Sequence, residues 1–358
     1  MELAEPGKKG VLVLEDGSVI QGMGFGAETE ISGEVVFNTS MMGYPELLSD
    51  PSYQEQIVVM TYPILGSYGV PPRSIRGVHS LSRPSHWSNQ KTLDEWLTEQ
   101  GVPGIFGVDT RVLAQRLRNK GTMLGVLKVS SSPVNLDAAA LRVSGLQDPN
   151  KQDLVQKVSP KEPIYYDGKE KSTIVIVDCG VKYGILRSLL AKGARVVRVP
   201  YDFPADKILE MNPQGVVISN GPGDPKIDLT TIETTRRLME TEIPIMGICL
   251  GAQILGLAAG AETYKLKFGH RAVNHPCMDL ETGRCFITTQ NHGYTIDRNS
   301  LENTDFLASF VNINDKTVEG IRHRKKPILG VQWHPESSPG PYDTRFLFDR
   351  FFEEALKA

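Results

Sequence analysis

Pro244-Ile245-Met246-Gly247-Ile248-Cys249-Leu250-Gly251-Ala252 sets a cysteine between a short apolar run and a stretch, Ala252 to Ala259, of helical character. A strand that turns sharply into a helix forces its central side chain out of the sheet. Glycines two residues to either side, Gly247 and Gly251, remove the Cβ atoms that would clash there. Cys249 then stands at a helix N-terminus, where unpaired N–H groups and the positive dipole end favour a thiolate, the attacking form of the group. Alone, the pentapeptide serves a small buried cysteine in a tight turn equally well. Its surroundings decide between the two.

A second constellation lies near the C-terminus, where Ile328-Leu329-Gly330-Val331-Gln332-Trp333 reads as a strand running into His334-Pro335-Glu336. Pro335 disfavours a helical His334, so the tripeptide is expected to be extended, with residues i and i+2 on one side. A Glu on one ring nitrogen fixes the tautomer and leaves the other nitrogen to take a proton from a thiol. Without Cys249, the same tripeptide would read as a solvated turn. A third segment, Ser219-Asn220-Gly221-Pro222-Gly223-Asp224-Pro225, follows the preceding strand and is expected beside the elbow. Its glycines permit close backbone approach, and its N–H groups, with that of Leu250, suit an oxyanion. As an isolated segment it is a surface turn.

With 358 residues, the chain has room for two domains, each with its own core. A net charge of −3 offers no basic field for nucleic-acid backbones or anionic membranes. No apolar run approaches the ~20 residues of a membrane span. Met1-Glu2-Leu3-Ala4-Glu5-Pro6 lacks a basic-then-apolar leader, and a cytoplasmic location is expected. Cys179, Cys249, Cys277 and Cys285 have no CxxC or CxxH spacing, so neither zinc nor a redox dithiol is expected. Cys277 and Cys285 flank a turn and could face one another across a hairpin.

The first part reads as β-structure: Val11–Glu15, Val19–Gln21, Glu34–Asn38 and Gln56–Met60, with helices through Leu93–Leu97 and Val112–Leu117. Gly22-Met23-Gly24-Phe25-Gly26 has the wrong spacing for a dinucleotide loop and no amphipathic helix after it. Residues 159–171 have linker composition, giving an N-terminal β-rich α+β domain over 1–158 and a second domain over 172–358. Beyond the linker, Thr173–Val177, Arg195–Val199, Gly215–Ser219 and the elbow strand alternate with helices. The fold class is therefore α/β, a mostly parallel sheet covered by helices on both faces. The elbow falls at the carboxyl end of its strand, where open α/β sheets place their sites.

Gly247-Ile248-Cys249-Leu250-Gly251-Ala252-Gln253, Asn220-Gly221-Pro222-Gly223-Asp224-Pro225, Gln290-Asn291-His292-Gly293-Tyr294 and His334-Pro335-Glu336 together resemble a class I glutamine amidotransferase domain. Lys267-Phe268-Gly269-His270, Asn274-His275-Pro276 and Glu336-Ser337-Ser338-Pro339-Gly340-Pro341 narrow the resemblance to the small, glutamine-hydrolysing subunits of carbamoyl-phosphate synthase. So do Gly33–Met41, Gly43-Tyr44, Asp50-Pro51-Ser52-Tyr53 and Asp109-Thr110-Arg111 in the first half. Tyr294 stands where that family often has Phe, and the chain is short between Gly69 and His79.

The resemblance implies that Cys249 attacks the side-chain amide carbon of L-glutamine, His334 transfers protons and Glu336 orients it. It implies glutamine contacts at Ser52, Gly221, Gly223, Leu250, Gln253, Asn291, Gly293 and Tyr294, with Ser52 supplied by the first domain. The sequence has no GxxxxGK[ST] loop. The resemblance therefore implies a large partner subunit, in a heterodimer or higher oligomer, that carries ATP and divalent metal and makes carbamoyl phosphate for arginine and pyrimidine synthesis. No metal or cofactor is expected in this chain. The rival readings are the amidotransferase subunit of another synthetase, a stand-alone γ-glutamyl thiol hydrolase, and a silent scaffolding subunit. The long first domain speaks against the first rival, and the intact Cys249, His334 and Glu336 against the last.

Overall fold

The computed structural model describes residues 7–67, 69, 90–169 and 172–357, so the short stretch after Gly69 lies outside the described residues. The chain divides into two compact units, Met1–Pro149 and Asn150–Ala358. The first is built on β1 (Lys9–Leu14), β2 (Val19–Gly26), β3 (Glu30–Asn38), β4 (Gln56–Met60), β5 (Pro103–Phe106) and β6 (Met123–Ser130). They form one sheet in the order β4-β3-β6-β1-β2-β5, antiparallel except for the β3/β4 pair. Alternation along β1 sends Leu12 and Leu14 to a core with Leu113 and Leu117 of the helix Thr110–Lys120. Val11 and Val13 face Ala139 and Val143 of the helix Leu136–Ser144 on the other side. Gly22–Gly26 lies within β2, as its spacing against a nucleotide loop implied.

The second unit contains β7 (Ile164–Tyr166), β8 (Thr173–Asp178), β9 (Arg195–Pro200), β10 (Gly215–Ile218), β11 (Ile245–Ile248), β12 (Thr263–Asp279), β13 (Cys285–Ile296), β14 (Phe306–Asn312), β15 (Val318–His323) and β16 (Ile328–Val331). The sheet order is β13-β12-β14-β15-β16-β11-β10-β8-β9-β7. Its centre, β16-β11-β10-β8-β9, is parallel, and the flanking strands are antiparallel. Val175, Val177, Val216, Ile218 and Ile245 pack against Leu238 and Ile254 on one face. Ile174, Ile176, Val217, Met246 and Ile248 pack against Ile185, Leu189 and Phe351 on the other. Burial on both faces is why these strands read as unbroken apolar runs, each large side chain contributing about 1.5–3 kcal/mol.

The expected boundary moves. Val155 is buried in the second unit's core, and Asp153 accepts the Tyr201 hydroxyl at 3.0 Å, so residues 150–158 belong to that unit. The stretch expected to be a linker supplies β7, paired antiparallel to β9. Its Ile164 and Tyr165 are exposed on the sheet edge, which gives the segment a surface composition. Cys277 and Cys285 do not face one another: Cys277 is opposite Phe286 and Cys285 opposite Met278. Both are free thiols, one buried and one exposed.

Candidate active site

The elbow forms where β11 ends. Cys249 has φ 55°, between β11 and the helix Leu250–Ala258. A non-glycine residue held in that region stores about 1–3 kcal/mol of strain. Surrounding contacts impose it: the Cys249 N–H donates to the Val331 carbonyl on β16 at 2.8 Å. A Cβ on Gly247 would sit 2.5 Å from the Gly251 carbonyl oxygen, and one on Gly251 2.1 Å from that of Ile218. Both glycines are therefore required by contact as well as by the turn. The second clash also places the end of β10 directly against the elbow, and a Cβ on Gly221 would meet Leu250 Cδ2 at 2.7 Å. The Asn220–Pro225 loop thus lies beside the first turn of the helix, whose N–H groups lack intrahelical acceptors.

His334 follows β16, the neighbour of β11, so the imidazole reaches the elbow from the adjacent strand. His334-Pro335-Glu336 is not extended as expected. It enters a turn closed by the Ser337 N–H on the His334 carbonyl at 3.2 Å, with Ser337 at φ 55°. The turn still brings the two side chains together, Nδ1 to Oε1 at 2.8 Å. Both are about 1 % exposed. Among the described residues the His334 Nε2 has no hydrogen-bond partner, and the interaction with the Cys249 thiol raises the ring's basicity.

Sequence reasoning missed Lys182, whose ammonium sits 3.1 Å from the same Glu336 oxygen and donates to the Ser338 carbonyl. Its signal was position: a lysine in the loop after β8, at the carboxyl end of a parallel strand. Burial favours the neutral carboxyl at Glu336, but Lys182 and His334 outweigh it and hold the group below the usual carboxylate range. For His334, burial and the Lys182 charge oppose protonation. Glu336 and the thiol prevail, and the imidazole is held well above its ordinary value. A buried imidazole of this kind accepts a thiol proton and keeps it beside the sulfur.

The strand β13 borders the thiol on its other side. Cys249 Sγ lies 3.5 Å from the Asn291 carbonyl oxygen, and Gln332 Nε2 is 3.8 Å from the sulfur. Gln253, on the elbow helix, donates to the Tyr294 carbonyl at 2.8 Å and to Gln332 Oε1 at 3.1 Å. Cys249, Leu250, Gln253, Asn291, Gly293, Tyr294, His334 and Glu336 thus belong to one neighbourhood of the second unit, with Gly221 against it; Gly223 (φ 91°) continues the same loop. Ser52 lies in the first unit, buried in a short 3-10 turn where its N–H donates to Asp50.

Behind β13, His270, His292 and Glu319 bring potential ligand atoms within 4.8 Å of one another. The residue types suit a transition metal. In this arrangement, however, His270 already bonds Glu319 through Nδ1 at 3.2 Å and Asp315 through Nε2 at 2.8 Å. The His292 Nε2 is 2.7 Å from Gln290 Oε1. The cluster is a hydrogen-bonded network.

Residues 175–354 match the family model of class I glutamine amidotransferases, and residues 12–127 that of the carbamoyl-phosphate synthase small chain, CPSase domain. The carbamoyl phosphate synthase small chain of Pyrococcus furiosus is 46% identical over 364 residues, covering 96% of this chain and 97% of its own. That of Methanopyrus kandleri is 47% identical over 359 residues, with 96% and 98% covered. The small chain of Aquifex aeolicus is 46% identical over 372 residues, with 97% and 99% covered. Two matched domains in one chain and near-complete alignment with these relatives place the protein in the family of carbamoyl phosphate synthase small chains.

Proposed function

We propose that this chain is the glutamine-hydrolysing subunit of a carbamoyl-phosphate synthase and that Cys249 carries the chemistry. The supporting observation is the elbow thiol beside a His334 Nε2 that has no other partner among the described residues. His334 takes the thiol proton, and the sulfur attacks the amide carbon of glutamine. The resulting oxyanion sits against the N–H groups of Leu250 and of Gly221 or Gly223, each such donor worth about 10²–10³ in turnover. As the C–N bond breaks, the His334 proton passes to the leaving nitrogen and ammonia departs. A γ-glutamyl thioester remains on Cys249. Water, deprotonated by His334, then releases glutamate and restores the thiol. Glu336 fixes the ring, and Lys182 keeps that carboxylate ionised. Gln253, Asn291, Gly293 and Tyr294 complete the glutamine contacts that the second unit supplies.

The ammonia is passed to a large partner subunit, which carries ATP and divalent metal and converts bicarbonate to carbamoyl phosphate. The assembly works in the cytoplasm and feeds arginine or pyrimidine synthesis. Assay of the reconstituted complex tests this. Cys249→Ser is expected to abolish glutamine-dependent synthesis while synthesis from free ammonia persists, since only the nitrogen source is lost. Equal loss with both nitrogen sources would overturn the division of labour.

A further inference from the structure

Two loops leave the carboxyl ends of β8 and β10, and one primary amide joins them. Asn220 is fully buried. Its Oδ1 accepts the Lys182 N–H at 3.0 Å, and its Nδ2 donates to the Gly180 carbonyl at 3.0 Å. From the other side, Asp178 Oδ1 accepts the N–H groups of Gly180 at 2.9 Å and Val181 at 2.7 Å. Its Oδ2 is held by the Arg198 guanidinium, with Nε at 2.8 Å. The loops touch backbone to backbone: a Cβ on Gly221 would sit 2.3 Å from the Cys179 carbonyl oxygen, and one on Gly180 3.4 Å from the Gly221 Cα. A donor and an acceptor on one short side chain are what this junction needs, and Asn alone offers both at that reach.

The ends of the joined pair are the two devices already assigned to the chemistry. Lys182 reaches Glu336 Oε1 at 3.1 Å, and Gly221 abuts Leu250 at the start of the elbow helix. We propose that Asn220 is a positioning residue that makes the Lys182 ammonium and the Gly221–Gly223 backbone one mechanical unit, setting the cation against Glu336 and the loop against the elbow together. It touches no reacting atom and acts through Lys182 and the loop. The inference rests on the roles given above to Cys249 and His334. The groups that bear on the His334 ring are Lys182, Glu336 and Cys249, and of these the Lys182 charge alone opposes its protonation. Loosening the clamp frees the ammonium from Glu336, and the imidazole becomes more basic.

The test uses the full chain with ¹⁵N-labelled histidine, following the His334 ring by NMR titration beside the glutaminase kcat. Asn220→Ala is expected to lower kcat at least about tenfold, the cost of losing about 1.4 kcal/mol of transition-state stabilisation, and to raise the His334 midpoint. Lys182→Met is expected to raise it too, and the double variant no further than Lys182→Met alone, the signature of two residues acting through one contact. Asn220→Ser, too short to bridge both partners, decides the question if Asn220→Ala does not fold. An unmoved midpoint, or shifts that add in the double variant, overturns the proposal. Labelling of Cys249 by a glutamine-like electrophile separates the two levels of failure. An unlabelled wild-type protein removes the thiol chemistry itself, whereas labelled variants with an unmoved midpoint remove only the role of Asn220.

Discussion

Two buried imidazoles, His270 and His334, each lie on a buried glutamate, and they differ in what meets the second nitrogen. His270 is bonded on both sides, to Glu319 and to Asp315. Burial opposes its protonation, yet the two acidic partners hold it at about 9. It is an imidazolium strut between β12 and the β14–β15 hairpin. Among the described residues His334 is bonded through Nδ1 alone, to Glu336, and its other ring nitrogen is left to the thiol on a strained turn. Saturation makes a histidine structural, and one unfilled nitrogen beside a nucleophile makes it a base.

The sharpest way to break this contrast is to neutralise each glutamate in turn. Glu336→Gln is expected to lower glutaminase kcat by about 10⁴, the loss that follows when the orienting carboxylate of a nucleophile–histidine pair loses its charge. Glu319→Gln is expected to cost less than about tenfold in kcat and to show its effect in the melting temperature, as a buried network losing a charged acceptor does. Equal kcat losses would erase the distinction between strut and base.

A smaller effect is expected in stability against pH. The His270 value in the folded state lies above its unfolded value near 6.5, so its contribution is complete below pH ~6.5 and disappears as pH rises through about 9. The shift corresponds to about 3 kcal/mol. Urea unfolding at pH 6 and pH 10 is expected to show the wild type losing that much more than His270→Asn. Parallel losses would deny the ring its structural charge.

Smallest is the effect of Gly184→Ala. The helix Tyr183–Ala191 would gain about 1 kcal/mol of propensity from alanine, but the new Cβ would sit 2.7 Å from Glu336 Cγ. Kinetics and melting of this variant are expected to diverge, kcat falling about ten- to a hundredfold as the carboxylate is displaced while stability changes little. An unaffected kcat would mean that the position of Glu336 matters less than its charge.

Legibility in the sequence followed burial. β8 to β11 were visible because both faces are covered, and Cys249 was visible because a sharp turn needs Gly247 and Gly251 in sequence. His334 and Glu336 were found by spacing, although the extended geometry used to find them is a turn. Lys182 was not visible, because its partner Glu336 is 154 positions further along the chain and a lone lysine at a strand end reads as solvated. The antiparallel flank was hidden by its composition: β12 spans 17 residues with alternating and polar stretches and shifts in register. Residues 159–166 misled because an edge strand carries the polar composition of a linker, and placing the boundary there left residues 150–158, with their short docking helix, in the first domain.

The most direct measurement mixes the full chain with glutamine, quenches in acid within the first turnover and maps the peptide that bears Cys249. A γ-glutamyl adduct on Cys249 that accumulates in the wild type and is missing from His334→Asn is the expected result. Glutamate released with no adduct at any time, or an adduct that forms equally well without His334, would contradict the pairing of sulfur and imidazole on which the site is built.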